Sequence, residues 1–215
     1  MFSNSVPITL EDLDAFRDTH QMRVIDACYL FGLHPGHWRH RINSDGLEPV
    51  PDVTVAILVR ILAQYPCLAQ LCCVTRHTHI DTALNLLSTH NKEKMSDYSL
   101  AIFLGKEGST VGRYRLGTTP TVPVQRMLDL IELVFTEQFN AGMTAIWGQS
   151  VTPNAFLQSW QSAANAEATA RGFGSVEMVA RARGWSVGAL ERLQLNKPSK
   201  SVNKRTLVKT ANKRT

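Results

Sequence analysis

The stretch "LAIFLGKEGSTVGRYRLG", Leu100 to Gly117, decides the fold. Ala101 is small, Gly105 follows four residues later, and Val111 comes six after that. A small residue lets two helices approach closely. A glycine lets the chain leave the first helix through a left-handed backbone conformation that strains other residues. The later apolar side chain pins a second helix back onto the first. The trio therefore predicts a bent pair of helices with a tight turn at Gly105.

The frame recurs twice. "DACYLFGLHPGHWRHRI" places Cys28, Gly32 and Trp38 at the three positions, and "VEMVARARGWSVGALERLQ" places Ala180, Gly184 and Leu190 there. The first two copies share more. Each is followed by a turn containing glycine and proline ("NSDGLEPVPDV", "LGTTPTV") and then by an amphipathic stretch. There Val53, Val55, Leu58 and Leu62 align with Val122, Val124, Met127 and Ile131. This reads as an internal duplication.

Over roughly residues 22–65 and 96–137 the pattern resembles the Xre/Cro-like, lambda-repressor-type helix-turn-helix family. The resemblance implies a sequence-specific DNA-binding protein, a transcriptional regulator of bacterial or mobile-element type. In that family the second helix of each pair lies in the major groove. The positions carried over are His34, His37, Arg39, His40 and Arg41 in the first copy. In the second they are Glu107, Ser109, Thr110, Arg113 and Arg115, and in the third Ser186, Glu191 and Arg192. Arginine suits the task because its planar fork matches guanine O6 and N7, or a phosphate. The first copy departs from the pattern with Arg41 on a side the family often keeps apolar, and with a bulky Trp38 that needs a roomy pocket. The second copy is therefore the expected DNA reader. The implied partners are double-stranded DNA and a second copy of the chain or a partner regulator subunit. The rival class is a helical protein–protein interaction subunit of a larger assembly, without direct DNA contact.

Charge bears on both readings. Of 23 Lys and Arg residues, seven lie between Asn196 and Thr215, where there is no acid. The first 195 residues thus hold 16 cations against 18 acids, an acid-leaning body that favours the rival. The end segment is polar and poor in apolar residues, so it is expected to be disordered. Its Lys197, Lys200, Lys204 and Arg205 are candidate phosphate contacts.

Elsewhere the chain reads as helix, and no segment alternates convincingly with period two. Thr9 is a candidate N-cap ahead of "LEDLDAF", and Thr152 another, with Pro153 at the first helical position. Val124, Met127, Leu128, Ile131, Val134 and Phe135 form one apolar stripe, while "STHNKEKMSD" (88–97) reads as a linker or exposed loop. The expected class is all-α, with tandem helix-turn-helix units in a multi-helix bundle and a disordered basic tail. The expected division is 1–87, 96–140, 150–195 (with a third, incomplete copy) and the tail 196–215.

Catalytic and metal chemistry are not expected. The sequence has no phosphate-binding glycine loop, nucleophile elbow or HExxH motif. His34, His37 and His40, or Cys72 and Cys73 near His77 and His79, lack the spacing of a tetrahedral zinc set. Cys67, Cys72 and Cys73 read as small core residues, Asp12, Asp14, Glu132 and Glu137 as solvated helix faces, and Trp147, Trp160 and Trp185 as core or interface anchors. No cofactor is implied. The chain shows no apolar run of membrane-spanning length and no secretory signal, so a cytoplasmic location with reduced cysteines is expected.

Overall fold

A computed structural model describes residues 2–71, 76–92, 94–136 and 151–171. Among them there are ten helices and no strand, in line with the all-α expectation. In chain order they are α1 (Leu10–Thr19), α2 (Val24–Phe31), α3 (Pro35–Asp45), α4 (Val53–Gln64), α5 (Pro66–Leu71), α6 (Ile80–Asn91), α7 (Asp97–Phe103), α8 (Thr110–Arg115), α9 (Val122–Phe135) and α10 (Pro153–Ala170).

Local chemistry sets most of the boundaries. Thr9 caps α1 in a reciprocal box with Asp12, so Asp12 closes the helix end rather than simply facing solvent. Asp52 accepts from the Thr54 amide at the start of α4, and Thr152 accepts from the Ala155 amide at the start of α10, where Pro153 opens the helix. His34 and His79 do the same for α3 and α6 through Nδ1. One boundary departs from expectation: the polar run from Ser88 begins as the last turn of α6, which continues to Asn91. There the Ser88 hydroxyl donates back to the Leu84 carbonyl at 2.6 Å and accepts from the Met95 amide at 2.8 Å. Polarity marked the exposed side of a helix end, not the end of helix.

Both glycines of the first two frames are left-handed, Gly32 at φ 70° and Gly105 at φ 71°. Their surroundings show how the copies fit together. α1 packs on α3 and α4, and α6 packs on α8 and α9. So α6, which the expected division placed with residues 1–87, groups with the second repeat, and each repeat is a set of four helices. Gln21 (φ 51°) and Lys92 (φ 56°), 71 positions apart, turn the chain ahead of α2 and α7. The repeats are interlocked. A Cβ on Gly32 would stand 2.9 Å from the Cβ of Val122, at the start of α9. A Cβ on Gly105 would stand 3.3 Å from Cδ1 of Ile57 and 3.6 Å from Cγ1 of Val53, on α4. Each turn thus lies against the long helix of the other repeat. The Thr54 hydroxyl donates to the Leu104 carbonyl at 2.9 Å, and Lys106 reaches both oxygens of Asp52 at 2.9 and 3.0 Å.

α4, α9 and α10 form the centre, with Trp160 stacked on Phe103 at 3.6 Å between ring centroids. Even charged side chains are buried there. Arg60 (4% exposed) pairs with Glu167 (0%) at 3.0 Å and donates to the carbonyls of Ser3 and Val6. Glu167 also takes Arg171 at 2.7 Å and the Ile8 amide at 3.3 Å. Burying such charges is tolerable only when every one is paired and hydrogen-bonded. Asp129 stands 69 positions after Arg60 in the aligned helix and mirrors it with opposite charge. Asp129 accepts from the Arg76 and Thr78 amides, as Arg60 donates to carbonyls, so each fixes the backbone leading into its repeat's first helix. Glu132 accepts from the Thr78 hydroxyl, and Asp14 holds both Arg17 and the Trp38 indole. These acids are structural partners, not solvated faces, because the segment leading into α6 brings Thr78 to Glu132 and α3 brings Trp38 to Asp14. Cys28 and Cys67 are buried free thiols, and burial pushes both thiol pKa values up. Cys72, Cys73, Glu137, Trp147 and Trp185 lie outside the described residues.

Candidate nucleic-acid interface

α3 is built to hold one face in and the other out. Pro35 opens it, and His34 Nδ1 accepts the Gly36 amide at 3.1 Å. Trp38 is its one buried residue, 4% exposed. The roomy pocket this indole needs is supplied by α1, where Asp14 accepts its Nε1 hydrogen at 3.2 Å. With Trp38 anchored, His37, Arg39, His40 and Arg41 are all exposed. Among the described residues none of the four forms an ion pair. The helix has eleven residues, about 16 Å at 1.5 Å per residue, which suits entry into a major groove.

α8 differs. It has six residues, and two of the five positions proposed from its copy are committed to the fold or to neighbours. Thr110 is buried and takes a hydrogen bond from Arg113 at 3.1 Å. Arg115 lies between Asp97 of α7 at 3.1 Å and Asp81 of α6 at 2.9 Å, and these carboxylates, Asp97 foremost, raise its pKa. Arg113 and Glu107 are exposed and 3.9 Å apart, and Ser109 is exposed beside them. The cations of α8 therefore face nearby acids, whereas those of α3 do not. Sequence alone weighted the second copy, because the carboxylates that balance it come from α6 and α7 rather than from α8 itself.

The third copy, with Ser186, Glu191 and Arg192, lies outside the described residues, as do Lys197, Lys200, Lys204 and Arg205. Sequence reasoning missed two surface features. Leu47 is 81% exposed and Leu116 is 89% exposed, the two most exposed large apolar side chains described. They are 69 positions apart, the separation of Val53 and Val122, so the repeat alignment would have paired them. It also missed Lys106, which binds Asp52 across the repeat junction.

Comparison with family models, curated proteins and solved structures finds no match. No described helix is long and apolar enough to cross a membrane.

Proposed function

We propose that the chain binds double-stranded DNA sequence-specifically, with α3 in the major groove, and acts as a transcriptional regulator. The observation that carries this reading is the set of four exposed basic or imidazole side chains on α3, without carboxylate partners among the described residues, on a helix anchored from behind by Trp38. The likeness of the repeated frame to lambda-repressor-type helix-turn-helix proteins supports it. Arg39 and Arg41 supply forks for guanine edges or phosphate. The basic residues after Asn196 add phosphate contacts that are insensitive to sequence.

Selection of bound duplexes from a random library with the purified chain tests the proposal, followed by fluorescence anisotropy on the enriched site. Arg41→Gln is expected to weaken the enriched site by about 1–3 kcal/mol if it reads a base, with loss of discrimination at particular positions. Truncation after Leu195 is expected to flatten the salt dependence while preserving sequence preference. No enrichment of any duplex would overturn the reading.

A second reading has its own support. Leu47 and Leu116 are exposed apolar side chains at matching positions of the two repeats, which suits a protein partner. Under that reading the chain is an interaction subunit without direct DNA contact, and Leu47→Ser with Leu116→Ser abolishes partner recruitment while the unaltered chain binds no duplex.

A further inference from the structure

We propose that the cleft between α1 and α3 is a binding site for a small aromatic carboxylate. The packing of the two helices leaves a cavity of about 270 Å³ there. Leu10, Leu13 and Trp38 give it a buried apolar floor, and His37 and Arg41 stand exposed at its mouth. The indole N–H of Trp38 is already committed to Asp14, so the tryptophan offers the cleft carbon surface only. His37 and Arg41 are four residues apart on one helix and share a face. No carboxylate lines the cleft, and Arg41 has no ion partner among the described residues.

Shape and charge together define the ligand class. A dry cavity of about 150 Å³ holds a benzene ring, so this one has room for two fused rings. An apolar floor with one cationic fork at the rim calls for a flat hydrophobic body ending in a single carboxylate, which the guanidinium binds through paired hydrogen bonds. A neutral aromatic compound would forgo the contact with Arg41, and a second carboxylate would find no second arginine or lysine in the lining.

The site stands on its own geometry, but its consequence rests on the proposed function. Arg41 is also one of the side chains assigned to DNA, so an occupied cleft withdraws it from the duplex. The ligand then acts as an effector that lowers DNA affinity.

Isothermal titration of the full chain with 1-naphthoate tests the site without DNA. The expected Kd is about 0.1 mM, in keeping with the per-atom limits on small ligands. Arg41→Gln is expected to weaken binding about tenfold, and Arg39→Gln, outside the cleft lining, to leave it unchanged. Methyl 1-naphthoate on the unmodified chain is expected to bind at least tenfold more weakly, which tests the carboxylate contact without any variant that must fold. Absence of binding, equal binding of acid and ester, or equal binding by the Arg41→Gln chain would each overturn the site. Failure to bind any duplex would sink the proposed function while leaving the titration standing. If duplex is bound but saturating 1-naphthoate leaves its affinity unchanged, the effector role is overturned.

Discussion

At the scale of single residues, the two left-handed glycines are equal in backbone and unequal in surroundings. Alanine at either position meets the strain of a positive φ, of order 1–3 kcal/mol. Gly32 adds a 2.9 Å approach to the Cβ of Val122, an atom tied directly to the backbone of α9. Gly105 faces the far end of the Ile57 side chain at 3.3 Å, which can rotate away. Gly32→Ala is therefore expected to lower Tm more than Gly105→Ala. Gly112, inside α8, serves as the contrast, since a Cβ there would meet nothing closer than 4.0 Å. Alanine at that position is expected to raise stability by up to about 1 kcal/mol. Thermal melts of the three variants check the order, and equal losses at Gly32 and Gly105 would refute the asymmetry. His20 supplies a pH dependence. Its ring lies 4.3 Å from that of Phe16, and burial lowers its pKa. The unfolded chain therefore takes up this proton more readily than the folded one. The contribution is present above the ordinary histidine value of about 6.5 and is lost as pH falls below it. His20→Phe is expected to show a smaller drop in Tm between about pH 7.5 and 5.5 than the unaltered chain. An identical drop would remove His20 from the account.

At the scale of helices, what could be read from sequence was what is decided locally. The caps at Thr9 and Thr152 and the apolar face of α9 depend on residues within a turn or two of each other, and all are found. The left-handed turns at Gly32 and Gly105 follow from a three-residue frame in the same way. The partners of buried or exposed charge are long-range, and periodicity carries no trace of them. Arg60 sits in the same apolar helix as Val59 and Ile61, yet its counter-ion is Glu167, 107 positions away. Arg115 looks like a free groove contact until α6 and α7 bring Asp81 and Asp97 to it. That difference separates α8 from α3 in a testable way. Arg115→Gln removes a cation that neighbouring acids already balance, so duplex affinity is expected to change less than threefold. Arg41→Gln removes an unbalanced one. An anisotropy series in which Arg115→Gln is the more damaging change would return the groove contact to α8.

At the scale of the whole molecule, the reciprocal packing of the two repeats makes neither one complete. The turn at Gly32 rests on α9, the turn at Gly105 rests on α4, and α4 in turn packs on α10. Cutting the chain between the repeats would leave the buried faces of α2 and α4 open to water. Residues such as Ile57, Leu58 and Leu62, each at most 2% exposed, would lose part of their cover. Exposing a leucine or isoleucine of that kind costs about 1.5–3 kcal/mol, and a domain's whole stability is commonly about 5–15 kcal/mol. Three or four such exposures suffice to unfold a half. Arg60 would also be stranded without Glu167, a loss of about 3–5 kcal/mol for a buried pair broken on one side. The intact chain is thus expected to melt in one transition seen alike by circular dichroism and tryptophan fluorescence. A fragment of residues 1–75 is expected to show no cooperative melt alone and to gain helix when mixed with residues 76–215. A fragment that folds by itself with a sharp transition would show that the repeats are independent modules, and the interlocking of their turns would then be contact without consequence.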